Sequence, residues 1–182
     1  GWGTRWTSIL DDKVRTKGYR VIEEGLCGRT TVFDDPFRTE RRGTEMLPAI
    51  LESHRPVDTI VLMLGTNDCK SVYSATPEMI GQGIEQLLDQ IKAVNPDAKI
   101  LLVSPIHLGE RIWEEDFDPE FDKNSIEVSR NLPRVYEKIA RRRNISYLPA
   151  SEFARPGEAD QEHLDALGHS RLADAIYEKL AG

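Results

Sequence analysis

Between residues 5 and 17 the apolar positions Trp6, Ile9, Leu10 and Val14 fall on one face of a 3.6-residue spiral, which predicts a helix that Gly18 stops. Residues 19–24 read as a short strand, followed by the Gly25-Leu26-Cys27-Gly28-Arg29-Thr30 turn, and residues 44–54 read as a helix. The run DTIVLML over 58–64 is continuously apolar after its first residues, as in a strand covered by helices on both faces, and it ends on Gly65-Thr66-Asn67-Asp68. Thr76 stands where it can cap a strongly amphipathic helix over 76–94, whose stripe is Met79, Ile80, Ile84, Leu87, Leu88 and Ile91. Residues 98–104 (AKILLVS) predict another buried strand, 108–122 a long acidic and aromatic loop, and 125–143 a helix. A short last strand over 145–148 and a helix over 165–180, with Leu167, Leu172, Ala175, Ile176 and Leu180 inward, close the chain.

Helix and strand alternate throughout, which specifies an α/β sandwich with a parallel sheet and right-handed crossovers. Repeats, low-complexity tracts and Pro/Gly/Ser-rich linkers are absent, so residues 1–182 are read as a single domain. Ligands of such sheets bind beyond the carboxyl ends of the strands, which directs attention to the loops after Glu24, Leu64, Ser104 and Leu148.

Composition then excludes several classes of function. The hydrophobic share of 39% and charged share of 30% are those of an ordinary globular protein, and no apolar run has the length of a membrane span. A net charge of -7 argues against nucleic-acid binding, which needs a basic surface to displace counterions. The basic stretches 38–42 and 141–143 fall in a loop and at a helix end, where solvated roles suffice. Two cysteines, Cys27 and Cys69, are too few for a disulfide framework or a structural zinc site, and a cytoplasmic setting is the expectation.

The loops carry polar residues suited to acyl transfer. A glycine at Gly28 lets a backbone N–H face a ligand unobstructed, and the Asn67 amide can donate towards the same point, so the two together would form an oxyanion hole. Asp160 and His163 lie three apart just before the last helix. That spacing lets the carboxylate accept from imidazole Nδ1–H and leaves Nε2 free as a general base. Each feature has an ordinary reading as well: a turn glycine, a strand-end cap, a chance pair in a surface loop. His54, His107 and His169 are read as structural, and His163 with His169 lacks the four-residue spacing of a helical zinc pair, so no metal is expected. No phosphate-cradling GxGxxG or P-loop follows a strand, which leaves a nucleotide-binding reading without a mechanism.

Three blocks turn these fragments into a pattern. VIEEGLCGRTT over 21–31 with Asp34-Asp35-Pro36, then LMLGTND over 62–68, then Asp160-Gln161-Glu162-His163-Leu164-Asp165, resemble successive blocks of the SGNH (GDSL-like) hydrolases. Arg5-Trp6 and Val103-Ser104-Pro105 also match, and the likeness is to the arylesterase and acyltransferase branch over nearly the whole chain. The resemblance implies a flavodoxin-like three-layer sandwich and a cofactor-free serine esterase acting on small aryl, acetyl or carbohydrate esters. It assigns His163 as base, Asp160 as its orienting carboxylate, and Gly28 and Asn67 as oxyanion donors.

One block departs from the family pattern. SGNH enzymes begin with a strand and Gly-Asp-Ser, whereas Gly1-Trp2-Gly3 resembles only the tail of that block. Ser8, Ser53, Ser71, Ser74 and Ser104 lack the Gly-Asp context and the strand-to-helix elbow of a nucleophile. The expectation is a sheet without its first strand, in which 19–24 and 58–64 either close on each other or are covered by another chain, with homo-oligomerisation as a consequence. Two functions stay open at this point: an esterase whose serine lies outside these residues, and a noncatalytic α/β module that binds acyl groups or other small molecules. Trp113, Phe117 and Phe121 of the long loop are candidates for an acyl pocket, or simply pin that loop to the core.

Overall fold

The computed structural model describes residues 3–182. Five helices, α1 (Trp6–Arg15), α2 (Gly43–His54), α3 (Pro77–Val94), α4 (Lys123–Arg143) and α5 (Ala166–Ala181), pack on three parallel strands, β1 (Thr59–Leu62), β2 (Lys99–Ser104) and β3 (Ser146–Pro149), in the order β1-β2-β3. Successive strand residues point to opposite faces, and the core divides accordingly. Leu62, Leu102 and Tyr147 join α2, α3 and α4 on one side through Leu51, Ile80, Ile84, Leu132 and Tyr136. Val61, Leu101, Val103 and Leu148 join α1 and α5 on the other through Leu10, Leu172, Ala175 and Ile176. The expected three layers and parallel sheet are therefore present.

Local signals set the helix ends. Thr76 Oγ1 accepts from Met79 N at 3.2 Å, as its position predicts. Asp122 and Ser125 exchange hydrogen bonds with each other's backbone N–H and start α4 two residues earlier than apolar spacing alone indicates. Leu167, Leu180 and Met79, expected inward, are exposed. Leu167 and Met79 sit in the first turns of their helices and Leu180 in a last one, where the stripe runs past the sheet.

The expected strand at 19–24 is not formed. The backbone there pairs with no strand among the described residues, and only an isolated parallel bridge, Thr30 to Arg42, follows. A strand exists only against a partner, so an extended segment without one is held by side chains instead. Asp11 Oδ1 accepts from Val21 N at 2.8 Å, the Glu23 carboxylate accepts from Arg5 and Thr7, and Glu24 meets His54 Nε2 at 2.6 Å. The expected direct closure of 19–24 on β1 is likewise not formed, and β1 pairs on one side only among the described residues.

Candidate active site

Beyond β1 the chain turns at Gly65, whose φ of 125° and closeness to Tyr136 leave no room for a side chain: a Cβ there would stand 2.4 Å from the Tyr136 hydroxyl. That hydroxyl donates to the Leu64 carbonyl at 2.7 Å and fixes the exit of the strand. The next residues form a single 3-10 turn, Asn67–Cys69. From it Asn67 Nδ2 donates to the Arg29 carbonyl at 3.2 Å, which joins Asn67 to the segment carrying Gly28. Gly28 has φ 79° in a turn closed by Arg29 N donating to Leu26 O at 3.1 Å, and its Cα is covered by the Arg38 guanidinium.

Asp68, which sequence reading assigned no role, fastens these two segments together. Its fully buried carboxylate accepts from Thr31 N at 2.9 and 3.1 Å and from the Thr31 hydroxyl. Burial pushes its pKa up to about 6, against the pull of the Thr31 hydroxyl and amide.

Asp160 and His163 are brought together as their spacing predicts. Asp160 Oδ1 accepts from the backbone N–H groups of Glu162 at 3.0 Å and His163 at 2.8 Å, while Oδ2 faces His163 Nδ1 at 3.0 Å. Burial raises the Asp160 carboxyl, but the amides of His163 and Glu162 and the imidazole outweigh it and hold its pKa below the ordinary aspartate value. The loop is itself anchored, with Gly157 N donating to His163 O and Gly109 N to Gln161 O, each at 2.7 Å. The His163 ring is 64% exposed, so a substrate can reach its outer edge.

The long loop over 108–122 ties the two pairs of residues to a common surround. One end meets Gln161 through Gly109, and at the other the Glu120 carboxylate pairs with the buried Lys70 ammonium at 2.7 Å and lies 3.7 Å from Arg38. The Glu120 carbonyl accepts from Ser71 N at 2.8 Å. Arg38 is in turn held by Asp35 at 2.9 Å. Of the loop aromatics, Phe121 is buried in the core, whereas Trp113 is exposed beneath the Lys123 ammonium, 4.1 Å from its ring centre. Two shallow surface depressions, one along α5 and one at the end of α4, are lined by none of Gly28, Asn67, Asp160 and His163.

The remaining candidates lie elsewhere. His54 pairs with Glu24, His169 Nδ1 accepts from Trp6 N at 3.2 Å, and the buried His107 Nε2 has no partner. Burial and the nearby Arg130 hold the His107 pKa below the ordinary imidazole value. The Ser8 hydroxyl donates to the Arg5 carbonyl at 2.8 Å, Ser53 and Ser74 bond to carbonyls of their own turns, Ser71 bonds Glu120 O, and Ser104 bonds the Tyr147 hydroxyl. No serine hydroxyl among the described residues is hydrogen-bonded to the His163 ring, nor do those residues include a group of three or more His, Cys, Asp or Glu poised to hold a metal. No helix among them is long and apolar enough to cross a membrane.

Comparison with known proteins gives this arrangement its context. Residues 1–171 match the model of the GDSL-like lipase/acylhydrolase family. Among solved structures, the chain resembles Est24, a carbohydrate acetylesterase from Sinorhizobium meliloti, with 33% identity and a TM-score of 0.90 over 100% of this chain and 86% of that one. It also resembles the inhibitor-bound aryl esterase of M. smegmatis, with 30% identity and a TM-score of 0.92 over the same shares of each chain. No curated protein sequence matches. A family match over residues 1–171, together with esterase structures of this identity and coverage, shows that the chain belongs to the GDSL-like lipase/acylhydrolase family of ester hydrolases.

Proposed function

We propose that this chain carries the base, the orienting carboxylate and the oxyanion donors of a serine esterase for small aryl, acetyl or carbohydrate esters. In this reading the nucleophilic serine is supplied from outside these residues, and the 182-residue chain alone is inactive. The observation that carries the reading is the doubly held Asp160 carboxylate. One oxygen is fixed by two backbone N–H groups and the other stands 3.0 Å from His163 Nδ1. Such a contact keeps the proton on Nδ1 and the lone pair on Nε2, the nitrogen on the side of the ring away from Asp160.

The reaction follows from that tautomer. His163 Nε2 takes the proton of the serine hydroxyl as its oxygen attacks the ester carbonyl. The Gly28 N–H and the second Asn67 amide hydrogen, the first being engaged with Arg29 O, stabilise the oxyanion. The imidazolium then returns its proton to the departing alkoxide or phenoxide, and water, deprotonated by the same nitrogen, releases the acid from the acyl-enzyme. Asp68 keeps the donors in register, since it binds the Gly28 segment through Thr31 and is the neighbour of Asn67 in the same turn.

In a form extended upstream through a Gly-Asp-Ser strand, His163→Ala is expected to lower kcat for p-nitrophenyl acetate by at least ~10³-fold. Asn67→Ala is expected to lower it by roughly 10²–10³-fold with a smaller change in KM. Wild-type rates in both variants would refute these roles. One second reading, an acyl-binding module without catalysis, is supported by the fact that no serine hydroxyl among the described residues bonds the His163 ring, and it predicts no hydrolysis in the extended form either. Among the described residues β1 pairs on one side only, which supports self-association of the 182-residue chain, and the two unbridged cysteines, Cys27 exposed and Cys69 buried, support a reducing, cytoplasmic setting.

A further inference from the structure

His163 Nδ1 is faced by two carboxylates. Asp160 Oδ2 lies at 3.0 Å, and Glu162 Oε2, from the residue directly before the histidine, lies at 3.6 Å. The Glu162 side chain is turned inward, with 13% of its surface exposed against 48% for Asp160. It lies within the influence of Asp118 from the 108–122 loop, Lys70 from the segment after Asn67, and Asp160 and His163 of its own loop. A glutamate on an exposed loop ordinarily turns its carboxylate to water, so an inward orientation towards an imidazole nitrogen calls for a reason.

Resting on the esterase reading above, we infer that Glu162 is a second positioning carboxylate for His163. It shares the Nδ1 proton side with Asp160 and is able to hold the Nδ1–H tautomer when Asp160 is lost. Closing the gap from 3.6 Å to a hydrogen bond takes only a small side-chain rotation, because Glu162 and His163 are adjacent in sequence. The two carboxylates also differ in kind. Burial, with Asp118 and Asp160 as further negative neighbours, raises the Glu162 carboxyl, whereas backbone N–H groups hold Asp160 as a carboxylate. Asp160 is thus the permanent anion and Glu162 the one that accepts a proton first as pH falls.

The tautomer of His163 is read directly from the ring nitrogen shifts in two-dimensional NMR of this chain, with no need for hydrolysis. Asp160→Ser removes the oxygen facing Nδ1 but keeps a hydroxyl able to accept from the N–H groups of Glu162 and His163. Glu162→Leu removes the second carboxylate. The expected result is Nδ1–H in the wild type and in each single variant, with reversion to predominant Nε2–H only in Asp160→Ser/Glu162→Leu. Reversion in Asp160→Ser alone would overturn the role of Glu162 while leaving the Asp160–His163 pair intact. Retention of Nδ1–H in the double variant would equally overturn it, and a wild type without the Nδ1–H tautomer would sink the pair and the inference together. Circular dichroism of each variant establishes that the fold is kept; should Asp160→Ser unfold, Asp160→Thr/Glu162→Leu against Asp160→Thr makes the same comparison, since Thr likewise keeps a hydroxyl and lacks the second oxygen.

Discussion

Asp68 and Tyr136 show how single side chains hold the site. The Asp68 pKa is raised from an ordinary 3.8 to about 6 by burial, so the folded protein keeps a proton that the unfolded chain releases between these values. A raised acid stabilises the fold fully below the unfolded pKa, and that contribution is lost as pH rises through the folded one. Stability in urea is therefore expected to fall between about pH 4 and 6, by up to ~1.4 kcal/mol per unit. Asp68→Asn should lack this descent, and an unchanged slope in the variant would contradict the assignment. Asp11 gives the opposite sign: the Val21 amide, Arg15 and Arg20 hold it at about 2, so its contribution is present above the ordinary carboxylate value and disappears only towards that pH. Tyr136→Phe strands the Leu64 carbonyl beneath Gly65 and should cost about 1–2 kcal/mol in the same denaturation experiment. Neither contact was legible in the sequence. Thr31 is 37 residues from Asp68, Leu64 is 72 from Tyr136, and no periodicity links partners so far apart.

At the scale of elements, the 108–122 loop depends on Glu120, whose carboxylate neutralises the buried Lys70 ammonium and whose carbonyl accepts from Ser71. Glu120→Gln leaves that ammonium without its counter-charge. We expect a loss of about 2 kcal/mol, below the range for a fully buried pair because Glu120 is partly exposed, and faster proteolysis within the loop. Equal proteolysis rates for variant and wild type would contradict this. Apolar spacing made α1, α3 and α5 readable, and continuous apolar runs made β1 and β2 readable, because burial on one face or on both leaves these patterns in the sequence. Pattern alone failed at 19–24, where the residues have strand character but no partner strand, and pairing depends on what lies alongside rather than on the segment itself. The Asp160–His163 contact was readable because it is local, whereas the inward turn of Glu162 depends on its surroundings in the fold.

For the whole molecule, β1 has one edge unpaired among the described residues, with apolar residues on both faces, and such an edge invites association. Light scattering on the 182-residue chain is expected to show mass rising with concentration, and a strictly monomeric chain at high concentration would contradict it. The central claim, the proposed roles of His163 as base and of Gly28 and Asn67 as oxyanion donors, is tested most directly by p-nitrophenyl acetate hydrolysis. The comparison is between this chain and a form extended upstream through a Gly-Asp-Ser strand. The account predicts turnover in the extended form alone, abolished by His163→Ala. Turnover by the 182-residue chain that depends on His163 would contradict it, because a serine within these residues would then be the nucleophile.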